Sequence, residues 1–172
     1  MDAAGFTRSP LIATFDDVVA RVEDACRRGY GDRLVSLAVF GSVGRGTPRP
    51  DSDIDLLIVV DGLPDGRTAR MAEFAEIERS IADLFVTVRQ RGVTTTLSPV
   101  LKTRAEVAHG SPLLLDLTED ARILVDRDGF LTGALDALRA RLDALGARRI
   151  WRGNAWYWDL KPDYRPGEVI EL

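Results

Sequence analysis

The chain has 172 residues, of which 45% are hydrophobic and 29% are charged, and its formal net charge is −4. This length suits one domain with its own core and is too short for two full-sized domains. The negative charge argues against nucleic acid as a partner, and no run approaches the roughly 20 apolar residues of a membrane span. The first residues, MDAAGFTRSP, lack the pattern of a signal peptide, so the sequence predicts a cytoplasmic protein.

Predicted helices alternate with predicted strands along the chain. The elements are, in order, a helix that opens at 14–17 and ends at Gly29 to Gly31, strands at 34–40 and 54–60, an amphipathic helix over 68–88, a strand over about 93–100, a short helix from Ser111-Pro112, a strand at 122–125 and a helix over 130–145. This order predicts an α/β fold in which helices pack on a mixed β-sheet.

The final segment, residues 147–172, differs in character from the domain predicted over 1–146. It contains every tryptophan of the chain, namely Trp151, Trp156 and Trp158. So many aromatic side chains are atypical of a disordered tail. We expect these rings to pack against the domain or against a partner subunit.

Two aspartates stand at the start of the second predicted strand. Side chains alternate along a strand, so Asp53 and Asp55 project from one face, about 6 to 7 Å apart. Their charges repel each other unless protons or cations intervene. Mg²⁺ suits paired carboxylates together with substrate phosphates, and two such ions activate an attacking hydroxyl while stabilising a leaving pyrophosphate. The pair therefore indicates phosphoryl or nucleotidyl transfer.

A glycine-rich loop follows the first predicted strand. Gly41 and Gly44 let backbone N–H groups approach a phosphate closely, and Ser42 supplies another hydrogen-bond donor. A helix beginning here favours negative charge at its N-terminus. Arg45 lies in a turn where a long side chain should find little apolar cover, so we expect it to contact phosphate.

Three other phosphate or metal motifs do not fit. A P-loop requires a lysine after its second glycine, but Gly46 is followed by Thr47. The loop has the order G-x-x-G-x-G, whereas a dinucleotide fingerprint requires G-x-G-x-x-G. An EF-hand loop starting at Asp51 would need glycine where Leu56 stands.

The segment GSVGRGTPRPDSDIDLLI resembles the signature of the nucleotidyltransferase superfamily of DNA polymerase beta, in which Gly-Ser precedes Asp-x-Asp by ten residues. The resemblance covers roughly residues 34–60. It implies a palm-like nucleotidyltransferase fold, a mixed β-sheet packed with helices. It further implies Mg²⁺-dependent transfer of NMP, AMP from ATP in particular, to a hydroxyl of a protein or other acceptor. Asp53 and Asp55 would be catalytic and bind two metal ions, and the nucleotide would contact Gly41, Ser42, Gly44 and Arg45.

Within the superfamily, the short chain most resembles the minimal nucleotidyltransferases of prokaryotes. That resemblance implies a partner of the helical HEPN type, paired with the chain as toxin and antitoxin. Assembly of several copies of the chain is left open. The aromatic residues from Trp151 onward have a second interpretation here, as a stacking platform for the nucleotide base.

The resemblance has one departure, and it leaves an alternative function open. The superfamily usually supplies a third carboxylate from a later strand, but the predicted strand 93–100 contains no acid. The next acids, Glu106, Asp116, Glu119 and Asp120, are expected to be solvated helix residues. The alternative is a catalytically impaired module that binds a nucleotide or a partner. A small-molecule nucleotidyltransferase would need a substrate domain, and about 45 residues after Val125 leave little room for one.

Overall fold

The computed structural model describes residues 9–153, 155–165 and 168, so the predictions made for residues 1–8 and for the last residues of the tail lie outside them. Its helices are α1 Pro10–Tyr30, α2 Gly41–Gly44, α3 Arg67–Arg79, α4 Ala82–Gln90, α5 Arg104–Ala108, α6 Pro112–Asp120 and α7 Phe130–Leu145. Its strands are β1 Leu34–Phe40, β2 Ile54–Val60, β3 Leu97–Lys102, β4 Arg122–Asp126, β5 Arg148–Arg152 and β6 Ala155–Asp159. Among the described helices, none is both long and apolar enough to span a membrane.

Four strands form a mixed sheet in the order β3-β2-β1-β4. Strand β1 runs antiparallel to β2 and β4, whereas β2 and β3 are parallel. The central strands are almost continuously apolar because helices cover both faces of the sheet. The predicted α/β fold with a mixed sheet is thus confirmed.

Each face of the sheet has its own helical layer. Leu56 and Ile58 of β2 contribute to a core shared with α1, α3 and α4. Leu57 and Val59 contribute to a second core shared with α5, α6 and α7. Because side chains alternate along a strand, Asp55 belongs to the face of Leu57 and Val59. Its carboxylate therefore lies on the same side of the sheet as α6.

The single helix predicted over 68–88 is wrong, since the chain forms two helices there. The break falls at Ser80 and Ile81. The Ser80 hydroxyl and amide both donate to the Ile77 carbonyl, at 2.6 and 3.1 Å, which a continuing helix would use for the Ile81 amide. Ile81 instead turns to φ −123° and is completely buried in the core.

The bounds of three elements also differ from the sequence prediction. Helix α1 begins at Pro10, because proline is well tolerated in the first turn of a helix. Strand β3 begins at Leu97, since the preceding residues form a loop in which the Thr94 amide donates to the Pro50 carbonyl at 2.8 Å. Strand β4 extends one residue further, to Asp126. The structure confirms the predicted bounds of β1, β2 and α7.

The segment after α7 forms an antiparallel hairpin of β5 and β6, in which Trp151 pairs with Trp156. The hairpin contacts helix α6: the indole N–H groups of Trp156 and Trp158 both donate to Asp116 Oδ1, at 2.7 and 3.0 Å. Trp151 remains 52% exposed. Two of the three tryptophans are therefore hydrogen-bonded to helix α6.

Candidate active site

The end of β1 brings the glycine-rich loop next to Asp55. Phe40, the last residue of β1, is paired with Asp55 of β2, and α2 starts at the next residue, Gly41. Gly41 has φ +65°, and a Cβ atom added to it would lie 2.3 Å from Asp55 Oδ2. Only glycine combines this conformation with so close an approach. By helix geometry, the N–H groups at the start of α2 have no carbonyl partner within the helix.

The two aspartates differ in environment. Asp55 is half-buried and Asp53 is exposed. Burial raises the pKa of Asp55, a hydrogen bond from Ser98 lowers it, the Asp53 charge raises it, and the Arg45 charge lowers it; the net pKa is raised. Asp53 accepts a hydrogen bond of 2.7 Å from Thr96 Oγ1. The structure thus brings the predicted pair together as interacting carboxylates.

This arrangement fits a divalent cation that is shared with a substrate. The available ligands are hard carboxylate oxygens, which Mg²⁺ prefers. A cation would offset the burial of the Asp55 charge and its repulsion by Asp53, the two effects that raise the Asp55 pKa. Among the described residues, no cluster of three or more histidine, cysteine, aspartate or glutamate side chains is arranged to hold a metal. The protein would supply two carboxylates, and phosphate oxygens would supply further ligands.

A hydroxyl group, that of Ser98, stands on β3 where a third carboxylate is expected. Asp55 is in register with Ser98, so both side chains lie on one face of the sheet. The first acid after β3, Glu106, accepts hydrogen bonds from Arg70 and from the Thr103 amide. Thr103 is the N-cap residue of α5. Glu106 follows the far end of β3 and lies away from the aspartate pair.

The expectation that the later acids are solvated is wrong for Asp116 and Asp120. Asp116 accepts both indole hydrogen bonds from the hairpin. Asp120, the last residue of α6, has a side chain that is only 4% exposed. Its backbone lies beside the glycine-rich loop: a Cβ added to Gly44 would be 2.5 Å from the Asp120 carbonyl oxygen. Gly44 therefore permits the close contact of α2 with the end of α6.

The prediction that Arg45 finds little apolar cover is also wrong. Its side chain is 26% exposed, and its guanidinium lies over the Trp156 ring, 5.1 Å from the ring centroid. Arg45 Nη1 donates to Asp120 Oδ2 at 2.5 Å. The Arg45 charge still acts on Asp55, since it lowers the pKa of that carboxyl group. A phosphate contact by Arg45 stays a prediction.

Arg149 of β5 is the second partner of Asp120. Its Nη1 and Nη2 atoms donate to Asp120 Oδ1 and Oδ2 at 2.7 and 2.9 Å. Burial raises the pKa of Asp120, but the hydrogen bonds from Arg149 and Arg45 outweigh burial and lower it. Sequence reasoning missed Arg149 because 29 residues separate it from Asp120. The concentration of aromatic residues around Arg149 was the one sign that this segment packs closely.

Comparisons with known proteins define the family. The sequence model of the nucleotidyltransferase domain family matches residues 19–117, and the chain belongs to this family. It is a nucleotidyltransferase. A relative from Methanocaldococcus jannaschii, named "Putative protein adenylyltransferase", is 31% identical over 116 residues, which cover 66% of this chain and 74% of the relative.

Solved structures with a similar arrangement have low sequence identity to the chain. One, a crystal structure of a toxin–antitoxin with AMP-PNP, has a TM-score of 0.44 at 15% identity and covers 74% of this chain and 91% of that chain. Another, the tri-AMPylated Shewanella oneidensis HEPN toxin in complex with MNT antitoxin, has a TM-score of 0.38 at 12% identity and covers 78% and 91% of the two chains.

Proposed function

We propose that the protein transfers AMP from ATP to a hydroxyl group of an acceptor protein in the presence of Mg²⁺. The observation that supports the proposal is the approach of Gly41 to Asp55: the glycine-rich loop lies directly beside a half-buried carboxylate of raised pKa. We further propose that residues 1–146 form the catalytic domain and that 147–172 form an extension of it.

In this proposal, each side of the site has a separate task. The backbone of Gly41 and Gly44, the Ser42 hydroxyl and the Arg45 guanidinium bind the triphosphate. Asp53 and Asp55 would hold two Mg²⁺ ions, which would supply positive charge at the attacking and leaving oxygens when bound. Ser98 and Thr96 orient the two carboxylates through their hydrogen bonds.

The transfer exchanges one phosphorus–oxygen bond for another. The acceptor hydroxyl oxygen bonds to the α-phosphorus of ATP, the bond from this phosphorus to the bridging oxygen breaks, and pyrophosphate leaves with that oxygen. The hydroxyl proton passes to water, because β3 presents Ser98 instead of a carboxylate opposite Asp55. The name of the archaeal relative supports a protein acceptor. A HEPN-type partner is the acceptor that the sequence resemblance favours.

The alternative is a module that binds nucleotide without transferring it. The hydroxyl of Ser98 at the position facing Asp55 favours this alternative, since a hydroxyl is a far weaker base than a carboxylate.

The two functions are separated by measuring pyrophosphate release and nucleotide binding on the same preparation. Purified protein is incubated with ATP, GTP, CTP or UTP labelled at the α-phosphate, with Mg²⁺ or with EDTA, and with or without a HEPN-type protein. We expect Mg²⁺-dependent pyrophosphate release and label on the acceptor with ATP, and neither with Asp53→Asn. Binding of ATP without pyrophosphate release under any of these conditions would establish the binding module instead.

A further inference from the structure

Two arginines from distant parts of the chain share the carboxylate of Asp120. Arg45 comes from the glycine-rich loop and makes one hydrogen bond to it, whereas Arg149 comes from the hairpin and makes two. The Arg149 side chain is 10% exposed, so this second ion pair is the more deeply buried one. Asp120 is thus paired twice, and its pairing with Arg149 alone already uses both carboxylate oxygens.

The Trp156 ring lies against both arginines. Its centroid lies 4.2 Å from the Arg149 guanidinium and 5.1 Å from that of Arg45. The indole N–H is fixed on Asp116, so the ring cannot turn without losing that hydrogen bond. Trp156 and Arg149 belong to the hairpin, while Arg45 and the neighbouring Asp55 belong to the nucleotidyltransferase site. The hairpin therefore contacts the site directly, through Trp156 on Arg45, and also through Asp120, which both arginines share.

The double pairing matters if Arg45 moves. A buried carboxylate that loses its only cationic partner carries a large energetic penalty, because its charge is then neither solvated nor compensated. With Arg149 in place, Arg45 can leave Asp120 without creating such a charge. Without Arg149, departure of Arg45 would leave Asp120 unpaired, and Arg45 would stay on it.

We propose that Arg149 is a positioning residue for nucleotide binding: it keeps Asp120 neutralised so that Arg45 is released from Asp120 to the triphosphate. This inference rests on the proposed nucleotide-binding function of the site. The hairpin is then a working part of the active site, and Arg45 exchanges one anionic partner, the Asp120 carboxylate, for another, the phosphates. Trp156 guides this exchange because it offers the guanidinium an aromatic face next to Asp120.

The test compares Arg149→Met, Asp120→Asn and the double variant with the wild type. The dissociation constant of each protein for α,β-methylene-ATP is measured by calorimetry in the presence of Mg²⁺. This analogue cannot be cleaved at the bond that the transfer breaks. We expect Arg149→Met to weaken binding by about tenfold or more, because Arg45 becomes the sole partner of Asp120. Asp120→Asn should bind as tightly as the wild type or more tightly, and the double variant should recover wild-type affinity.

A merely structural role for the hairpin predicts a different pattern. Loss of packing would weaken binding in Arg149→Met and in the double variant alike, and that result would overturn the proposal. So would unchanged affinity in Arg149→Met. Trp158→Phe is the matched control: it removes a hairpin contact to Asp116 but none to Asp120, so the melting temperature should fall while affinity stays at the wild-type value.

If Arg149→Met does not fold, Arg149→Lys takes its place, because lysine keeps the charge but loses the two-bond geometry. We expect Arg149→Lys to lose about two- to fivefold in affinity for the analogue, and the additional substitution Asp120→Asn to abolish this loss. A loss of affinity in Arg149→Lys that persists when Asp120→Asn is added would overturn the proposal. Failure of the wild type itself to bind the analogue would instead refute the proposed function on which the inference rests.

Discussion

Replacing Asp55 with asparagine removes a charge that the metal-free protein accommodates poorly. Burial and the Asp53 charge both raise the pKa of Asp55, so its ionised form opposes folding. Residues that are two positions apart along a strand, such as Asp53 and Asp55, are separated by about 6.6 Å. At this distance, two like charges repel by about 2.5 kcal/mol at an effective dielectric constant of 20 and by about 0.6 kcal/mol in water. Asp53 is exposed, which favours the lower part of this range.

We therefore expect metal-free Asp55→Asn to be about 1 kcal/mol more stable than the wild type, which is a rise of about 2–4 °C in melting temperature. AMP transfer should fall by more than about 100-fold, because the loss of a residue that only supports a metal ligand already costs 10- to 100-fold. Stability and transfer thus change in opposite directions. A structural aspartate would lose stability when replaced by asparagine.

The pH dependence gives the same prediction a second readout. Since the pKa of Asp55 is raised in the folded state, the folded protein binds more protons than the unfolded chain between the ordinary and the raised pKa. In that window, the Asp55 contribution to wild-type stability decreases as the pH rises, and Asp55→Asn lacks this contribution.

Melting curves of wild type, Asp55→Asn and Asp51→Asn decide the matter, each recorded with and without Mg²⁺ and α,β-methylene-ATP. Asp51 is the control because it is exposed and precedes the strand. Ligand binding should raise the melting temperature of the wild type and of Asp51→Asn, but not that of Asp55→Asn. A destabilised Asp55→Asn beside a wild type indifferent to Mg²⁺ and nucleotide would refute the reasoning.

Two further substitutions test the site and the fold separately. Gly41→Ala places a Cβ 2.3 Å from Asp55 Oδ2, so transfer should fall at least tenfold. Gly46 has a similar positive φ but open space around it, so Gly46→Ala should cost only about 1 kcal/mol of stability. Equal loss of activity in both variants would contradict the contact between Gly41 and Asp55. Asp126→Ala removes hydrogen bonds to the Leu131 and Thr132 amides at the start of α7 and should cost about 1–2 kcal/mol without affecting transfer. Burial raises the pKa of Asp126, but its hydrogen bonds lower that pKa overall. The contribution of Asp126 to the stability of the folded protein should therefore disappear as the pH falls through the lowered pKa. Denaturant unfolding from neutral to acidic pH measures this loss.

Local sequence patterns were sufficient for β1, β2 and α7, whereas the helical period over 68–88 did not reveal the break at Ser80 and Ile81. The apolar runs of β1 and β2 predicted their bounds, because a strand covered on both faces must be apolar at nearly every position. The loop and the carboxylates lie at the two ends of the connection between these strands. The structure pairs these strands antiparallel, and this pairing brings Gly41 and Asp55 together at the centre of the candidate site.

The residues around that centre depend on contacts between distant segments. Nothing near Asp120 in the sequence indicates that Arg45, 75 residues earlier, and Arg149, 29 residues later, share its carboxylate. The same holds for Ser98, whose role follows from the parallel register of β2 and β3. The sequence by itself determined β1, β2, the glycine-rich loop and the aspartate pair. Only the tertiary structure decided which charges meet in the interior, because a buried charge is stabilised by whatever partner the fold places beside it.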